Sequence, residues 1–103
     1  MYEKLERGGK VAVLYSPGYG AGWYSWNSKH EGLLFDKEIA EAVLAGNRER
    51  AISIAEIKYP GIYTGGGRDL SVKWIDKGFR FEIQEYDGNE SIRIFGPDDG
   101  HIA

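Results

Sequence analysis

Apolar runs and alternating segments along the chain predict a few strands and helices. The run Lys10–Ser16 is mostly apolar and is bounded by glycine and proline, which is typical of a buried strand. The charged segment 1–9 ends in two glycines and predicts either a short helix or a frayed arm. A long connection, 17–32, follows the strand, and its aromatic residues argue against disorder.

Two helices are predicted in the middle of the chain. Asp36 is a good N-cap for the first, whose apolar residues recur at helical spacing until Gly46 ends it. Asn47 can cap the second helix, which runs to about Lys58 and stops at the Tyr-Pro-Gly sequence of residues 59–61. One helix is therefore expected to follow the other directly.

The last third of the chain alternates apolar and polar residues, as half-buried strands do. Segments 70–74, 79–84 and 91–94 show this alternation, and Asp87-Gly88 is a strong signal for a hairpin between the last two. We therefore predict a single α+β domain, 1–103, whose antiparallel sheet joins the N-terminal strand to a three-stranded C-terminal meander. The two helices are expected to pack on one face of this sheet.

The segment Ser16–Asn27 is rich in glycine and aromatic residues and is the strongest candidate for a binding site. Gly20 and Gly22 would let backbone amides approach a ligand, although the spacing matches neither a dinucleotide fingerprint nor a P-loop. Aromatic side chains stack on nucleobases and dominate protein interfaces. We expect Trp23 and Trp26 to form a partly exposed wall of a pocket or of a subunit interface; the alternative is that they cover the core. The aromatic candidates for ligand binding are Tyr19, Trp23, Tyr24 and Trp26.

Three arginines could supply positive charge to an anionic ligand. Arg80 and Arg93 occupy the polar sides of successive predicted strands, and Arg68 follows a triple glycine. Nearby glutamates could instead pair with them across the strands, and this interpretation is favoured. These glutamates are Glu82, Glu85 and Glu90.

No constellation of catalytic or metal-ligating residues is recognisable in the sequence. The chain has no cysteine, and its two histidines, His30 and His101, have no neighbour at a metal-ligand spacing. The Gly-x-Ser-x-Gly nucleophile motif is missing from the sequence. Glu85 and Asp87 could support hydrolysis as paired carboxylates, but acids at a strand end are more often solvated. The sequence therefore predicts no metal, no cofactor and no catalytic residue.

The net charge and the length of the chain limit the kinds of partner that can be expected. With 13 basic and 16 acidic residues the net charge is −3, which does not favour binding to duplex nucleic acid. The sequence shows neither a membrane-spanning apolar run nor a signal-peptide pattern, so a cytoplasmic protein without membrane contact is expected. A domain of 103 residues has little room for a deep pocket. A homo-oligomer with the ligand at or beside an interface is therefore predicted.

Several stretches resemble a family of small hypothetical proteins encoded by phages and prophages. The likeness is carried by the motif V-x-V-x-Y-S-P-G-Y-G-A-G-W-x-x-W-N of residues 11–27, by 33–39, by the Tyr-Thr-Gly-Gly stretch from Tyr63, and by 81–88. It covers most of the chain and brings no established catalytic residue. Small accessory proteins of phages often antagonise host defence, so the resemblance implies an antagonist of this kind.

These observations lead to three functional hypotheses. The leading one is a non-enzymatic protein that binds and sequesters a small anionic ligand, such as a nucleotide immune signal, to counter host defence. The alternative is a protein-binding inhibitor of a host defence protein. The third is a small hydrolase of a nucleotide signal.

Overall fold

The structure, a computed structural model, describes residues 2–95 and 100–103, and these residues form the expected α+β fold. The elements are, in chain order, β1 (Glu6–Arg7), β2 (Lys10–Tyr15), a 3-10 turn (Tyr24–Trp26), α1 (Gly32–Phe35), α2 (Lys37–Leu44), α3 (Arg48–Lys58), a second 3-10 turn (Gly65–Asp69), β3 (Ser71–Asp76), β4 (Arg80–Tyr86), β5 (Asn89–Phe95) and β6 (His101–Ile102). Among the described residues no helix has both the length and the apolarity that a membrane crossing requires.

The strands form two antiparallel sheets, whereas the sequence predicted one. The first sheet has the order β1-β2-β3 and the second the order β5-β4-β6. β2 and β3 pair from Lys10 opposite Asp76 to Tyr15 opposite Ser71. The predicted three-stranded meander is therefore wrong at its first turn, because the chain passes from one sheet to the other between β3 and β4. The place beside β4 that β3 was expected to occupy is taken by β6.

The N-terminal segment forms a strand, which corrects the expectation of a helix or a frayed arm. Glu6 and Arg7 pair with Val11 and Lys10 across the two-residue turn Gly8-Gly9. The φ angles of the two glycines are 56° and 78°. A tight hairpin turn needs positive φ at both positions, and glycine adopts it without strain.

Both predicted helix caps are confirmed. The Asp36 carboxylate accepts hydrogen bonds from the backbone amides of Glu38 and Ile39, and the Asn47 side chain accepts one from Arg50. The short helix α1 precedes them and has no counterpart in the sequence prediction, because four residues are too few to show a helical period.

Two clusters of buried side chains lie on opposite faces of β2. Ala12 and Leu14 belong to the first cluster, which joins β2 to α2 and α3. Val11 and Val13 belong to the second, which joins β2 to α1 and to Phe81 on β4. A strand that is buried on both faces has a continuous run of apolar residues, and β2 has such a run.

Candidate functional site

One buried carboxylate holds the glycine- and aromatic-rich loop, residues 16–27, in place. Glu90 on β5 is only 1% exposed. Its Oε1 accepts a hydrogen bond from the Ser16 amide at 2.8 Å, and its Oε2 accepts bonds from the amides of Trp23 and Ser25 at 2.8 Å each. The Ser25 hydroxyl donates a fourth bond at 2.6 Å. A buried carboxylate is costly unless donors surround it, and these four donors stabilise its charge.

The backbone amides that bond Glu90 lie in the loop that the sequence predicts to contact a ligand. The amides converge as they do in anion-binding nests, but the anion is the protein's own Glu90. The amide of Gly20 is also engaged, because it donates to the carbonyl oxygen of Asp87 at 2.9 Å. Gly22 is buried. The Gly20 amide is therefore not free for a ligand, and Gly22 is covered by its neighbours.

The loop packs between the β4–β5 turn and the triple-glycine segment. A Cβ atom on Gly88 would collide with the backbone of Ala21, and one on Gly66 would lie 2.5 Å from the carbonyl oxygen of Gly22. Asp87 and Gly88 have φ angles of 50° and 80°, which confirms the predicted hairpin turn. Glycine is needed here for close backbone approach as well as for turn geometry.

The two tryptophans of the loop have opposite environments. Trp23 is fully buried, and its indole N–H donates to the carbonyl oxygen of Leu33 at 2.8 Å. The expectation that Trp23 lines a pocket or an interface is therefore wrong; Glu90 fixes its amide so that its ring enters the core. Trp26 matches the expectation of partial exposure, since 45% of its surface is accessible. Its ring lies 5.4 Å from that of Tyr63, centroid to centroid.

Trp26 lines a small hollow whose other walls combine polar, basic and apolar residues. The volume of the hollow is about 230 Å³. Lys29 and His30 also line it, and their side chains carry an ammonium group and a ring N–H donor. The Asn27 carboxamide is already engaged, because it bonds the backbone of Trp23 and of Tyr63. The complete lining consists of Trp26, Asn27, Ser28, Lys29, His30, Gly61 and Ile62.

The two tyrosines of the loop also differ in exposure. Tyr24 is half-buried, and its ring stands edge-on to His101 at a centroid distance of 5.0 Å. Burial, and secondly the charge of Glu31, raises the pKa of the Tyr24 hydroxyl. Tyr19 is 71% exposed, and Tyr86, which the sequence did not single out, is 73% exposed. Tyr24 therefore belongs to the packed interior, while Tyr19 is available for contact.

The three candidate arginines are not assembled at one place. Side chains alternate along β5, so Arg93 faces the side of the sheet opposite to Glu90 and the loop, and Arg80 shares that outer face. Arg93 pairs with Glu82, its register partner, at 3.7 Å between Nη1 and Oε1. This ion pair is the cross-strand arrangement that the sequence favoured. Only Arg68 lies on a segment that packs against the loop.

A larger cleft of about 480 Å³ at the start of α2 contains charged groups that satisfy one another. The buried Asp36 accepts hydrogen bonds from Lys58 Nζ at 3.1 Å and from the Tyr59 hydroxyl at 2.9 Å. Burial, the hydrogen bond and the Asp36 charge raise the pKa of Tyr59 far above its ordinary value. Burial and a neighbouring carboxylate raise the pKa of Tyr2 to about 12. These contacts clamp the start of α2 to the end of α3, which is a structural role.

Within residues 2–95 and 100–103, no three His, Asp or Glu side chains are grouped as metal ligands. Comparison of the sequence with protein-family models gives no match, and comparisons with curated proteins and with solved structures give none either. The candidate site is therefore defined by geometry: an exposed indole, on a loop that is hydrogen-bonded to Glu90, beside a hollow whose lining includes Lys29 and His30.

Proposed function

We propose that the protein is a non-enzymatic binding protein that captures a small anionic ligand of the nucleotide class. The hollow beside Trp26 carries this proposal, because an exposed aromatic ring and two basic residues, Lys29 and His30, line the same space. Stacking of a base on an aromatic side chain contributes about 1–3 kcal/mol. Hydrogen bonds from a charged donor to phosphate are among the strongest in proteins.

The rigidity of the site supports ligand retention. The Trp26 ring packs over Gly22, its indole nitrogen lies 3.4 Å from Glu85 Oε2, and its face is tilted by 31° to that of Tyr63. Asn27 fixes the backbone of Tyr63 through two hydrogen bonds. A site that is ordered before binding loses little conformational entropy on binding. Retention without turnover would serve the antagonism of host defence that the sequence resemblance implies.

The size of the hollow supports a homo-oligomer as part of this proposal. Ligand pockets usually measure about 300–1,000 Å³, and the hollow beside Trp26 has only about 230 Å³. The loop is held by Glu90 and cannot close over a ligand as a lid. A second chain placed over the hollow would supply the missing wall. Light scattering with and without nucleotide measures the molecular mass in solution and so tests whether the protein is a homo-oligomer.

Isothermal titration calorimetry with AMP, cyclic AMP and inorganic phosphate tests the binding function. We expect at least one nucleotide to bind, and phosphate to bind about tenfold or more weakly because it cannot stack. Trp26→Ala should weaken nucleotide binding about 5- to 150-fold, and Lys29→Glu should weaken it through charge repulsion. Mass spectrometry should recover the ligand unchanged.

Tyr19→Ala is the matched control, since Tyr19 is an exposed aromatic residue of the same loop outside the hollow. It should leave nucleotide affinity unchanged. Absence of binding by every nucleotide, or an equal loss in Tyr19→Ala and Trp26→Ala, contradicts the proposal.

A further inference from the structure

A carboxylate lies at the edge of the half-exposed indole ring of Trp26. Glu85 on β4 is exposed, and its Oε2 atom accepts a hydrogen bond from the backbone amide of Gly88 at 2.6 Å. The same oxygen lies 3.4 Å from the indole nitrogen of Trp26. The Gly88 bond therefore holds the Glu85 carboxylate beside the ring on which the proposed nucleotide would stack.

Much of the hydrogen-bonding capacity of this carboxylate is unused. An ionised carboxylate can accept about four hydrogen bonds. Among the residues that the structure describes, only Gly88 and Trp26 donate to Glu85, both to Oε2, and the bond from Trp26 is long. No described cationic side chain forms a salt bridge with Glu85. The Oε1 atom can therefore accept hydrogen bonds from a ligand.

The stability of the β4–β5 hairpin does not explain the charge of Glu85. Glu85 lies directly opposite Glu90 in the register of the two strands, and like charges at opposite positions are destabilising. A glutamine at position 85 could accept the bond from the Gly88 amide without this repulsion. Local features that cost stability are typical of functional sites. We therefore looked for a function of Glu85 at the adjacent indole ring.

We propose that Glu85 selects guanine as the base of the bound nucleotide; this inference rests on the proposed function. The Watson–Crick edge of guanine carries two neighbouring donors, N1–H and the 2-amino group, which match the two oxygens of one carboxylate. Adenine and cytosine have an acceptor nitrogen beside their amino group, and uracil has its N3–H between two carbonyl oxygens. These acceptors would face the carboxylate and be repelled by it, so the other three bases are disfavoured.

The charges around Trp26 determine the orientation of such a ligand. Lys29 and His30 line the hollow, whereas Glu85 is not part of its lining and lies at the nitrogen edge of the indole. The phosphate of a nucleotide is attracted by the basic residues and repelled by the carboxylate. The base would therefore stack on Trp26 with its hydrogen-bonding edge toward Glu85 and its phosphate toward the hollow.

Isothermal titration calorimetry with GMP, IMP and AMP tests the role of Glu85. IMP has the N1–H donor of GMP but lacks the 2-amino group. We expect GMP to bind about tenfold more tightly than AMP, with IMP between them, because each lost hydrogen bond to a charged acceptor weakens binding. Glu85→Gln should lower the ratio of GMP affinity to AMP affinity about tenfold, because the glutamine amide offers one acceptor and one donor instead of two acceptors.

Glu82→Gln is the matched control, because Glu82 lies on the same strand but on the opposite face of the sheet. It should keep the affinity ratio of the unaltered protein. The ratio compares two ligands in one variant, so a general loss of binding through damage to the turn cancels from it. Equal affinities for GMP and AMP in the unaltered protein, or an undiminished GMP preference in Glu85→Gln, would overturn the role of Glu85 and leave the nucleotide site standing. Absence of binding by all three nucleotides would overturn the proposed function and this inference with it.

Discussion

Glu90 accepts a hydrogen bond from the Ser25 hydroxyl at 2.6 Å, although 65 positions separate the two residues in the chain. The bond joins the β4–β5 hairpin to the loop that carries Trp26. Glu90 is therefore the residue on which the geometry of the loop depends most directly.

Replacement of Glu90 tests this dependence. Glu90→Gln should lower the free energy of unfolding by about 2–3 kcal/mol, because one oxygen becomes an NH2 group that faces N–H donors. Glu82→Gln changes a partly exposed glutamate on the outer face of the same hairpin and should cost less than about 1 kcal/mol. Urea unfolding measures both values. Similar small losses for the two variants would contradict the role of Glu90.

The close approach at Gly88 gives a prediction with a matched control. Gly88→Ala and Gly9→Ala both place a side chain at positive φ, at 80° and 78°, and each should lose about 1 kcal/mol for this reason. Only the Cβ atom at residue 88 would also collide with the backbone of Ala21, whereas the one at residue 9 meets open space. Gly88→Ala should therefore be the more destabilising by about 1–3 kcal/mol. Equal melting temperatures of the two variants would show that the loop does not pack closely against the β4–β5 turn.

The two loop tryptophans should respond differently to the same substitution. Trp23→Phe leaves the buried carbonyl oxygen of Leu33 without its donor and creates a cavity, so we expect a loss of about 2–4 kcal/mol. Trp26→Phe changes a half-exposed ring and should cost less than about 1 kcal/mol. Thermal unfolding of the two variants checks the order. A greater loss at residue 26 would mean that the core extends to the hollow.

Alkaline pH should destabilise the clamp between α2 and α3. The folded protein raises the pKa of Tyr2 to about 12, from 10.0, and also raises that of Tyr59 and Lys58. Each group holds its proton more tightly when folded, so the stabilisation is complete below about pH 10 and is lost as pH rises toward 12. Tyr59→Phe should make this decline shallower in urea unfolding between pH 8 and 11.5. An unchanged pH dependence would exclude Tyr59 as a source of the decline.

Features with local causes could be predicted from the sequence. The caps at Asp36 and Asn47 and the Asp87-Gly88 hairpin depend on a few neighbouring residues, and the structure confirms them. The division into two sheets could not be predicted, because the pairing of β2 with β3 joins Lys10 to Asp76 across most of the chain. The burial of Trp23 depends in the same way on Glu90.

The sequence did contain one signal for the buried role of Glu90. In β5, Glu90 lies on the same face as Ile92 and Ile94, because side chains alternate along a strand. A glutamate at an apolar position of an alternating strand indicates either a buried, hydrogen-bonded carboxylate or a functional group. The hollow beside Trp26 had no comparable signal, since it forms where two distant segments meet.

The span of the Glu90 bonds determines when the loop can become ordered. The three loop residues that Glu90 holds precede it by 65 to 74 positions. Contacts of such long sequence separation form late, because a large chain segment must first be closed. On the ribosome, the loop would stay without its folded geometry until residue 90 has emerged and the β4–β5 hairpin has docked. The loop proposed for recognition is thus expected to be among the last parts of the molecule to reach its folded structure during synthesis.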